Sequence, residues 1–296
     1  MNDVVAIIVS YNPKIRRFKR VIGSVSKQVR KIIIVDNNSL NIDKIYASIK
    51  NLVNSHKAVL INLNKNKGLA NALNIGINKA PPASFILTLD QDTVLHNETV
   101  EYLLSAYEKL PANIKNRVAV VHAKHENFGK RKIDKLLYKY TILNQKELKR
   151  DKKIFKKLYP VNSVIQSGML IKQSIAKRFK FKTAFFIDQI DREYCARLTS
   201  KGYLILESRK KLADHALGIA AKIKGKTIRY ENELRLYYLA RNSAYLLKKG
   251  ELPILEYFLD VINLYRKFLL VKGIKKLPLL VKIYVKATID GLLNKF

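Results

Sequence analysis

Cysteine is nearly absent from this 296-residue sequence, in which Cys195 is the only one. A single cysteine excludes a disulfide framework, and it also excludes a zinc site built from cysteines. Stability must therefore come from a hydrophobic core, for which the length and the 48% of hydrophobic residues suffice. The sequence predicts a globular protein from a reducing compartment.

A secretory signal is also lacking. The first residues, Met1 to Val9, have neither the basic n-region nor the small-residue cleavage site of a signal peptide. We therefore expect a cytoplasmic protein.

Acidic residues are scarce, since 23 Asp and Glu stand against 57 Lys and Arg and give a formal net charge of +34. Such an excess attracts polyanions, whether nucleic acid, anionic lipid or a phosphate-bearing substrate. A nucleic-acid-binding protein is one hypothesis. We expect no nucleic acid partner, however, because neither a binding motif nor stripes of aromatic and basic residues accompany the charge.

Apolar runs alternate with helical patterns through the first ninety residues. Buried strands are predicted at four runs, Val4 to Val9, Lys31 to Asp36, Ala58 to Leu63 and Phe85 to Leu89. Because parallel strands joined by helices form right-handed βαβ units, the pattern predicts an α/β fold with a mostly parallel, doubly wound sheet. No G-x-G-x-x-G follows the first strand, which argues against a dinucleotide-binding fold.

Carboxylates follow two of these strands. Asp36 ends the second strand, and Asp90 and Asp92 follow the fourth, so all three face the same edge of the sheet. An Asp-x-Asp at that edge can hold a hard divalent cation that also binds a nucleotide diphosphate. Two alternatives remain: Asp36 can form a turn, and Asp92 can cap the helix predicted from Asn97 to Lys109.

Several later residues can complete a phosphate site. Lys67 and Gly68 precede a predicted helix and can offer a cation and backbone amides to a phosphate. His215 can join Asp92 at a metal, although a lone histidine is more often structural. Arg241 is a candidate diphosphate contact, with a surface ion pair as the alternative. A polar, Lys-rich stretch from Lys124 to Lys157 suggests a mobile loop or helical insertion near the site, and a solvated face is the more common alternative.

A second acidic group opens a helix near residue 190. Asp188 and Asp191 follow the bulky pair Phe185 and Phe186. A carboxylate in such a first turn can serve as a general base. The alternative is favourable placement of acids at the positive end of a helix dipole.

Taken in order, these motifs resemble the family-2 inverting glycosyltransferases of GT-A fold, and most closely the bacterial rhamnosyltransferases. The resemblance spans roughly residues 4 to 245. It rests on the following ordered set: Ser10-Tyr11-Asn12, Val35-Asp36-Asn37, Asn66 to Ala70, Leu89-Asp90-Gln91-Asp92, Phe186 to Arg197, His215 with Gly218, and Arg241-Asn242.

The resemblance implies a nucleotide-sugar donor, dTDP- or UDP-linked, and Mg²⁺ or Mn²⁺. It implies that Asp36 lies at the base, that Asp90 and Asp92 lie at the ribose and metal, and that His215 and Arg241 lie near the diphosphate. Other residues of the matching motifs are expected to contact the donor: Ser10, Tyr11, Asn12, Lys67, Gly68 and Gln91.

The catalytic base is also implied by the resemblance. Many members of the family place two adjacent acids before the helix, whereas Gln189-Ile190 separates Asp188 from Asp191 here. Counting back from Arg197 puts Asp191 at the usual position of the base, and Asp188 is its rival. The Asp-Gln-Asp form points by analogy to dTDP-rhamnose as the donor.

Residues 251–296 are predicted to form a tail beyond a glycosyltransferase domain at 1–250. The tail is rich in Leu, Ile, Tyr and Phe, but no uncharged run approaches the roughly 18 to 20 residues of a spanning helix. Basic amphipathic helices on an anionic membrane surface fit this pattern, and two ordinary packed helices are the alternative.

The sequence as a whole favours an enzyme at the inner leaflet of the cell membrane. It would transfer L-rhamnose with inversion to a lipid-linked oligosaccharide acceptor in the synthesis of O-antigen or capsule. A nucleotidyltransferase using the same metal site is a further alternative, although the Gly- and Arg-rich phosphate loop that it needs near the first strand is missing.

Overall fold

The computed structural model describes residues 3–126, 155–215, 219–223 and 225–296. They belong to two compact units, one of Met1–Phe181 with Tyr194–Ala216 and one of Lys182–Glu193 with Leu217–Phe296. The insertion predicted from Lys124 to Lys157 lies mostly outside the described residues. The predicted tail, residues 251–296, lies wholly within the second unit.

The first unit is an α/β structure. Its strands are β1 Val4–Ser10, β2 Lys31–Asp36, β3 Ala58–Asn62, β4 Phe85–Asp90, β5 Thr93–Leu95, β6 Val118–His125, β7 Leu158–Val161, β8 Met169–Lys172 and β9 Leu204–His215. Its helices are α1 Ile15–Ser26, α2 Ile42–Asn54, α3 Leu69–Lys79, α4 Thr99–Glu108, α5 Ala112–Arg117 and α6 Gln173–Arg178. Helix α7, Ile190–Ser200, begins in the second unit and ends in the first.

One sheet contains all nine of these strands, in the order β3-β2-β1-β4-β8-β6-β9-β5, with β7 paired to β9. Strands β3, β2, β1 and β4 are mutually parallel, as are β6 and β9. Strand β8 runs antiparallel between β4 and β6. The predicted α/β fold with a mostly parallel central sheet is confirmed.

The core forms around β1, every residue of which is buried. Helix α1 contributes Phe18, Val21, Ile22 and Val25, a stripe at helical spacing. Burying each such side chain contributes about 1.5–3 kcal/mol. Helix α3 approaches β1 closely at Gly76, where a Cβ atom would lie 2.5 Å from Ile7 Cγ2.

Strand β9 is the longest of the described strands. It runs from Leu204 to His215, so that its far end pairs with the three-residue strand β5. Strand β5 directly follows Asp92, and α4 begins only at Thr99. Asp92 therefore lies in the turn between β4 and β5, and the alternative that it caps the helix is wrong.

In the second unit, the described residues of Leu217–Phe296 form a hairpin, three helices and a 3₁₀ turn. Its elements are β10 Ile219–Ile223, β11 Lys226–Tyr230, α8 Glu233–Lys248, α9 Ile254–Lys272, a 3₁₀ turn Ile274–Lys276 and α10 Leu277–Leu292. Helix α10 passes very close to α8 at Gly291, where a Cβ atom would lie 2.2 Å from Arg241 O. Within the described ranges, every helix is too short or too polar to cross a membrane.

Candidate active site

Three potential metal ligands converge in the first unit, where β4 and β9 end. His215 Nε2 lies 3.2 Å from Asp90 Oδ2 and 3.2 Å from Asp92 Oδ1. One ligand atom from each residue can be chosen so that all lie within 4.8 Å of one another. The pairing of β5 with β9 produces this convergence, because it sets His215 opposite Thr93, the residue after Asp92.

The donor set of this cluster fits a hard divalent cation. Two carboxylates supply the oxygen ligands that Mg²⁺ and Mn²⁺ prefer, and an imidazole nitrogen adds a third ligand. All three side chains are only partly buried, with 12% to 33% of their surface exposed. Asp90, Asp92 and His215 can thus hold a metal ion and leave other coordination positions for a ligand.

The pKa of His215 is raised well above the ordinary value for histidine. Burial by itself lowers its pKa, but hydrogen bonds with Asp90 and Asp92 and the charges of both carboxylates outweigh burial and raise the pKa to about 9. A histidine must be neutral to ligate a metal. A proton and a divalent cation therefore compete for the Nε2 atom.

This competition predicts how metal affinity changes with pH. Below pH 9 each bound Mn²⁺ must release the proton of His215, so affinity should rise about tenfold per pH unit and level off near pH 9. Calorimetry of Mn²⁺ binding at pH 6.5, 7.5 and 8.5, in buffers of different ionisation enthalpy, measures both the slope and the released proton. A His215→Gln protein should bind more weakly and lose the slope, and a slope in that variant equal to wild type would contradict the competition.

Two more histidines, His122 and His125, lie on β6, and His125 is next to His215. The ring of His125 lies 5.5 Å from that of His215 at 60°, and the ring of His122 stacks on that of His125 at 5.3 Å. Burial, together with the nearby His122 and His215, lowers the pKa of His125 to about 2. His125 is therefore neutral near pH 7 and adds no positive charge behind the metal ligands.

A loop before β8 orients Asp90. Gln166 Nε2 donates a short hydrogen bond to Asp90 Oδ1, and the Asp90 N–H donates to Ser167 Oγ over 2.9 Å. Gly168 follows with a φ of 93°, and a Cβ there would lie 3.0 Å from His125 Nε2. The loop thus fixes the carboxylate of Asp90 and packs against His125.

Arg17 connects the two segments that carry the other ligands. From α1, its Nε donates to Asp92 O over 2.8 Å, its Nη1 to Asp214 Oδ2 over 3.1 Å and its Nη2 to Asp214 O over 2.8 Å. Asp214 immediately precedes His215. A single guanidinium therefore sets the spacing between the β4–β5 turn and the end of β9.

Replacing Arg17 should weaken metal binding. We expect Arg17→Ala to lower Mn²⁺ affinity by roughly 10–100-fold, the usual effect of losing a residue that orients metal ligands. Calorimetry of Mn²⁺ binding measures the loss, with Arg20→Ala as a matched control because Arg20 is exposed on the same helix. If both variants lose affinity equally, the effect comes from general charge and not from the connection that Arg17 makes.

The predicted donor-binding residues of the first unit lie at the same edge of the sheet. Register pairs Ser10 with Asp36 across β1 and β2, and Val9 with Asp90 across β1 and β4. Gln91 connects the ends of β1 and β4, because its Oε1 accepts a hydrogen bond from Tyr11 N over 2.7 Å. Asn12 N donates to Ser39 Oγ over 2.7 Å.

Asp36 is fully buried and bonded within this edge. Its Oδ1 accepts from Ser10 Oγ at 2.7 Å and Ser39 Oγ at 2.6 Å, and its Oδ2 accepts from Ser39 N at 2.7 Å. Next to it, Asn37 Oδ1 accepts from Lys67 N over 2.8 Å. Gly68, with a φ of 81°, directly precedes the first residue of α3. Asp36 therefore holds the ends of β1 and β2 together, and its contact with a base stays a prediction.

Asp188 and Asp191 lie in the second unit with different surroundings. Both oxygens of Asp188 accept from Arg235, at 2.5 Å from Nη2 and 3.1 Å from Nε. Asp188 and Gln189 have φ values of 62° and 60°, and Asn242 Nδ2 donates to Asp188 O over 2.8 Å. Asp191 is the second residue of α7 and accepts from Arg192 N over 2.8 Å. Asp188 thus anchors a left-handed turn that Asp191 follows.

Arg241 is buried, with 4% of its surface exposed. Its Nη2 donates to Ala184 O over 2.9 Å, and its guanidinium packs over the rings of Tyr238 and Phe296 at 4.8 and 4.9 Å. The alternative that Arg241 forms a surface ion pair is wrong. Its contact with a diphosphate stays a prediction.

Residues 5–179, more than half of the chain, match the model of glycosyl transferase family 2. The chain belongs to this family, and the resemblance seen in the sequence is confirmed. The protein is a glycosyltransferase, which decides against a nucleotidyltransferase and against a nucleic-acid-binding protein.

A curated relative is similar to this chain over nearly its full length. The dTDP-rhamnosyl transferase RfbF of Shigella flexneri is 28% identical over 300 residues, which cover 98% of this chain and 96% of RfbF. The protein is accordingly similar to rhamnosyltransferases.

Solved structures agree on the fold. S. aureus TarS 1–349 in complex with UDP-GlcNAc has a TM-score of 0.55 at 14% identity, covering 99% of this chain and 82% of that one. GalNAc-T7 with UDP, GalNAc and Mn²⁺ has a TM-score of 0.52 at 15% identity, covering 75% of this chain and 44% of that one. At these identities the likeness shows the fold alone, and the predicted GT-A fold is confirmed.

Proposed function

We propose that the protein transfers L-rhamnose from dTDP-rhamnose, with inversion, to a lipid-linked oligosaccharide. The reaction would extend a bacterial surface polysaccharide, such as O-antigen or capsule, at the inner leaflet of the cell membrane. The observation that carries the proposal is the convergence of Asp90, Asp92 and His215 at one sheet edge of a family-2 glycosyltransferase.

The donor is proposed from two supports. The near full-length relation to a dTDP-rhamnosyl transferase favours dTDP-rhamnose, and a UDP-sugar is the competing donor, because TarS is a structural neighbour in complex with UDP-GlcNAc. The Asp90-Gln91-Asp92 turn is the sequence feature shared with rhamnosyltransferases.

The contacts proposed for the donor are assigned by the position of each residue at the edge of the sheet. Exposed groups at the ends of β1 and β2, such as Tyr11, would contact the nucleoside, while buried Asp36 holds those ends in place. Lys67 would offer its side-chain cation to a phosphate, and Gly68 directly precedes α3, whose positive N-terminal end favours an anion.

The residues that would hold Mg²⁺ or Mn²⁺ are Asp90, Asp92 and His215, oriented by Gln166 and Arg17. A structural neighbour crystallised with Mn²⁺ supports this choice of ion. When bound, the ion would offset the charge of the departing diphosphate.

The base is proposed to be Asp191. Inversion needs one carboxylate that takes the proton from the acceptor hydroxyl. Both oxygens of Asp188 accept hydrogen bonds from the Arg235 guanidinium, so this carboxylate stabilises the left-handed turn at Asp188 and Gln189. Counting back from Arg197 favours Asp191, the second residue of α7, as the residue that takes the proton.

Binding of donors tests the proposal directly. Thermal shift and calorimetry with dTDP-rhamnose, UDP-GlcNAc and free dTDP, each with and without Mn²⁺, should show the largest stabilisation with dTDP-rhamnose and Mn²⁺. A preference for UDP-GlcNAc would reassign the donor within the same fold. An unchanged melting temperature with every nucleotide sugar would overturn the proposed function.

The acceptor is tested separately, by turnover. Transfer from radiolabelled dTDP-rhamnose to a lipid-linked oligosaccharide extract should depend on the extract, and mild acid should release the labelled glycan from the lipid. Label that appears only as free rhamnose would indicate hydrolysis and contradict a lipid-linked acceptor.

A further inference from the structure

The second unit exposes an unusual number of large apolar side chains on its last two helices. On α9 they are Ile254, Leu255, Phe258, Leu259, Ile262 and Leu270; on the 3₁₀ turn and α10 they are Ile274, Leu277, Leu279, Val281, Val285, Ile289 and Leu292. Scattered single apolar residues are normal on a surface, whereas grouped ones mark an interaction site.

Helix α10 gives this surface a definite geometry. Val281, Val285, Ile289 and Leu292 follow one another at helical spacing and are 40% to 52% exposed. The opposite side of the helix carries Leu280, Ala287 and Gly291, which are buried. With sixteen residues the helix is about 24 Å long. One face is therefore used in packing, and the other is an apolar stripe turned outward.

Positive charge surrounds this stripe. Exposed lysines lie just before the helix and along it: Lys272, Lys275, Lys276, Lys282 and Lys286. The same two helices carry three acids, of which Asp260 is partly buried and the other two are buried. Glu256 is 2% exposed and paired with Arg192, and Asp290 is 8% exposed and accepts from Tyr237 and Lys286. The outward surface is consequently more basic than the sequence alone implies.

We propose that the 3₁₀ turn and α10, residues 274–292, form a docking element that lies flat on an anionic lipid bilayer. The apolar stripe enters the boundary between headgroups and acyl chains, and the lysines contact lipid phosphates. The proposal concerns this surface alone and does not depend on which donor sugar is used.

Charge favours a bilayer over a second copy of the chain as the partner. Two copies meeting through this stripe in a symmetric interface would bring the same lysines against one another without exposed acids to match them. An anionic leaflet supplies both the apolar layer and the opposite charge. A lone polyanion would satisfy the lysines but leave the stripe in water.

Vesicle flotation tests the proposal with the full-length protein. We expect binding to phosphatidylcholine vesicles containing phosphatidylglycerol, and at least tenfold weaker binding to phosphatidylcholine alone. Lys275→Gln with Lys276→Gln should weaken binding by roughly 30-fold, since each lysine near an anionic surface is worth about fivefold. That loss should shrink in high salt, which screens the charges.

Val285→Ser with Ile289→Ser removes apolar surface without changing charge. It should lower flotation at least tenfold at both low and high salt. The matched control is Tyr46→Ser with Val59→Ser, which changes exposed apolar residues of the first unit. Melting curves of all variants establish that they are folded.

Two results would overturn the proposal. One is equal flotation of the Val285→Ser, Ile289→Ser protein and wild type. The other is a dimer of the wild-type protein, seen by sedimentation without vesicles, that becomes monomeric in that variant while flotation is unchanged, because the stripe would then bind a second copy.

Discussion

Asp191→Asn should lower turnover by roughly 10²–10⁴-fold, the range expected for loss of a general base, while the affinity for the donor stays near that of wild type. The amide keeps the size of the side chain and still accepts a hydrogen bond, such as the one from Arg192 N. Only the capacity to take a proton is lost. Steady-state turnover on a lipid-linked acceptor, measured beside calorimetry of donor binding, separates the two effects.

Asp188→Asn is the matched control for that variant. Its main consequence should be structural, because Arg235 loses an ionic partner and the left-handed turn at Asp188 and Gln189 loses an anchor. We expect a loss of about 1.5–3 kcal/mol in the free energy of unfolding, as for hydrogen bonds to charged groups, and a milder loss of turnover. A nearly active Asp191→Asn protein beside an inactive but folded Asp188→Asn protein would reverse the assignment.

Asp92→Ala should abolish metal-dependent binding of the nucleotide, with Mn²⁺ affinity reduced by more than about 100-fold. Residues that only orient metal ligands typically contribute 10–100-fold, and a direct ligand should contribute no less. The fold should survive, because the side chain is 33% exposed and Arg17 bonds the backbone oxygen, which alanine retains.

Calorimetry of dTDP with and without Mn²⁺ measures this effect. Asp43→Ala provides the control, since Asp43 is an exposed acid on α2 in the same unit and its loss changes the net charge equally. Mn²⁺-dependent affinity that is the same in Asp92→Ala, Asp43→Ala and wild type would remove Asp92 from the metal site.

Three parallel strands, β1, β2 and β4, were predictable because they are buried on both faces. Strands β1, β2 and β4 are continuous apolar runs, and each ends in a polar residue that marks the edge. The end of β9 was not predictable in this way. Arg209, Lys210 and Lys211 interrupt its apolar pattern, and β5, its partner, is only three residues long.

The residues that orient the candidate site were harder to find. Arg17 looks like any other basic residue of an amphipathic helix until the structure places it against Asp214, 197 positions later. Gln166 gives no signal beyond its position before Ser167-Gly168. Counting back from Arg197 favours Asp191 over Asp188, but spacing gives no sign that Arg235, 47 positions later, binds both oxygens of Asp188. Local patterns predict strands and the acids at their ends, but not long-range partners.

The proton on His215 has a practical consequence for handling the protein. Two carboxylates held close together repel each other, and many metal proteins need the ion itself to fold. Here an imidazolium with a pKa of about 9 occupies the gap between Asp90 and Asp92 at neutral pH. The positive charge of His215 thus offsets the charge of the two carboxylates when no metal is bound. Purification in EDTA should therefore yield a folded protein that accepts metal afterwards. A cooperative loss of circular dichroism on adding EDTA at pH 7 would show instead that the ion is needed for folding.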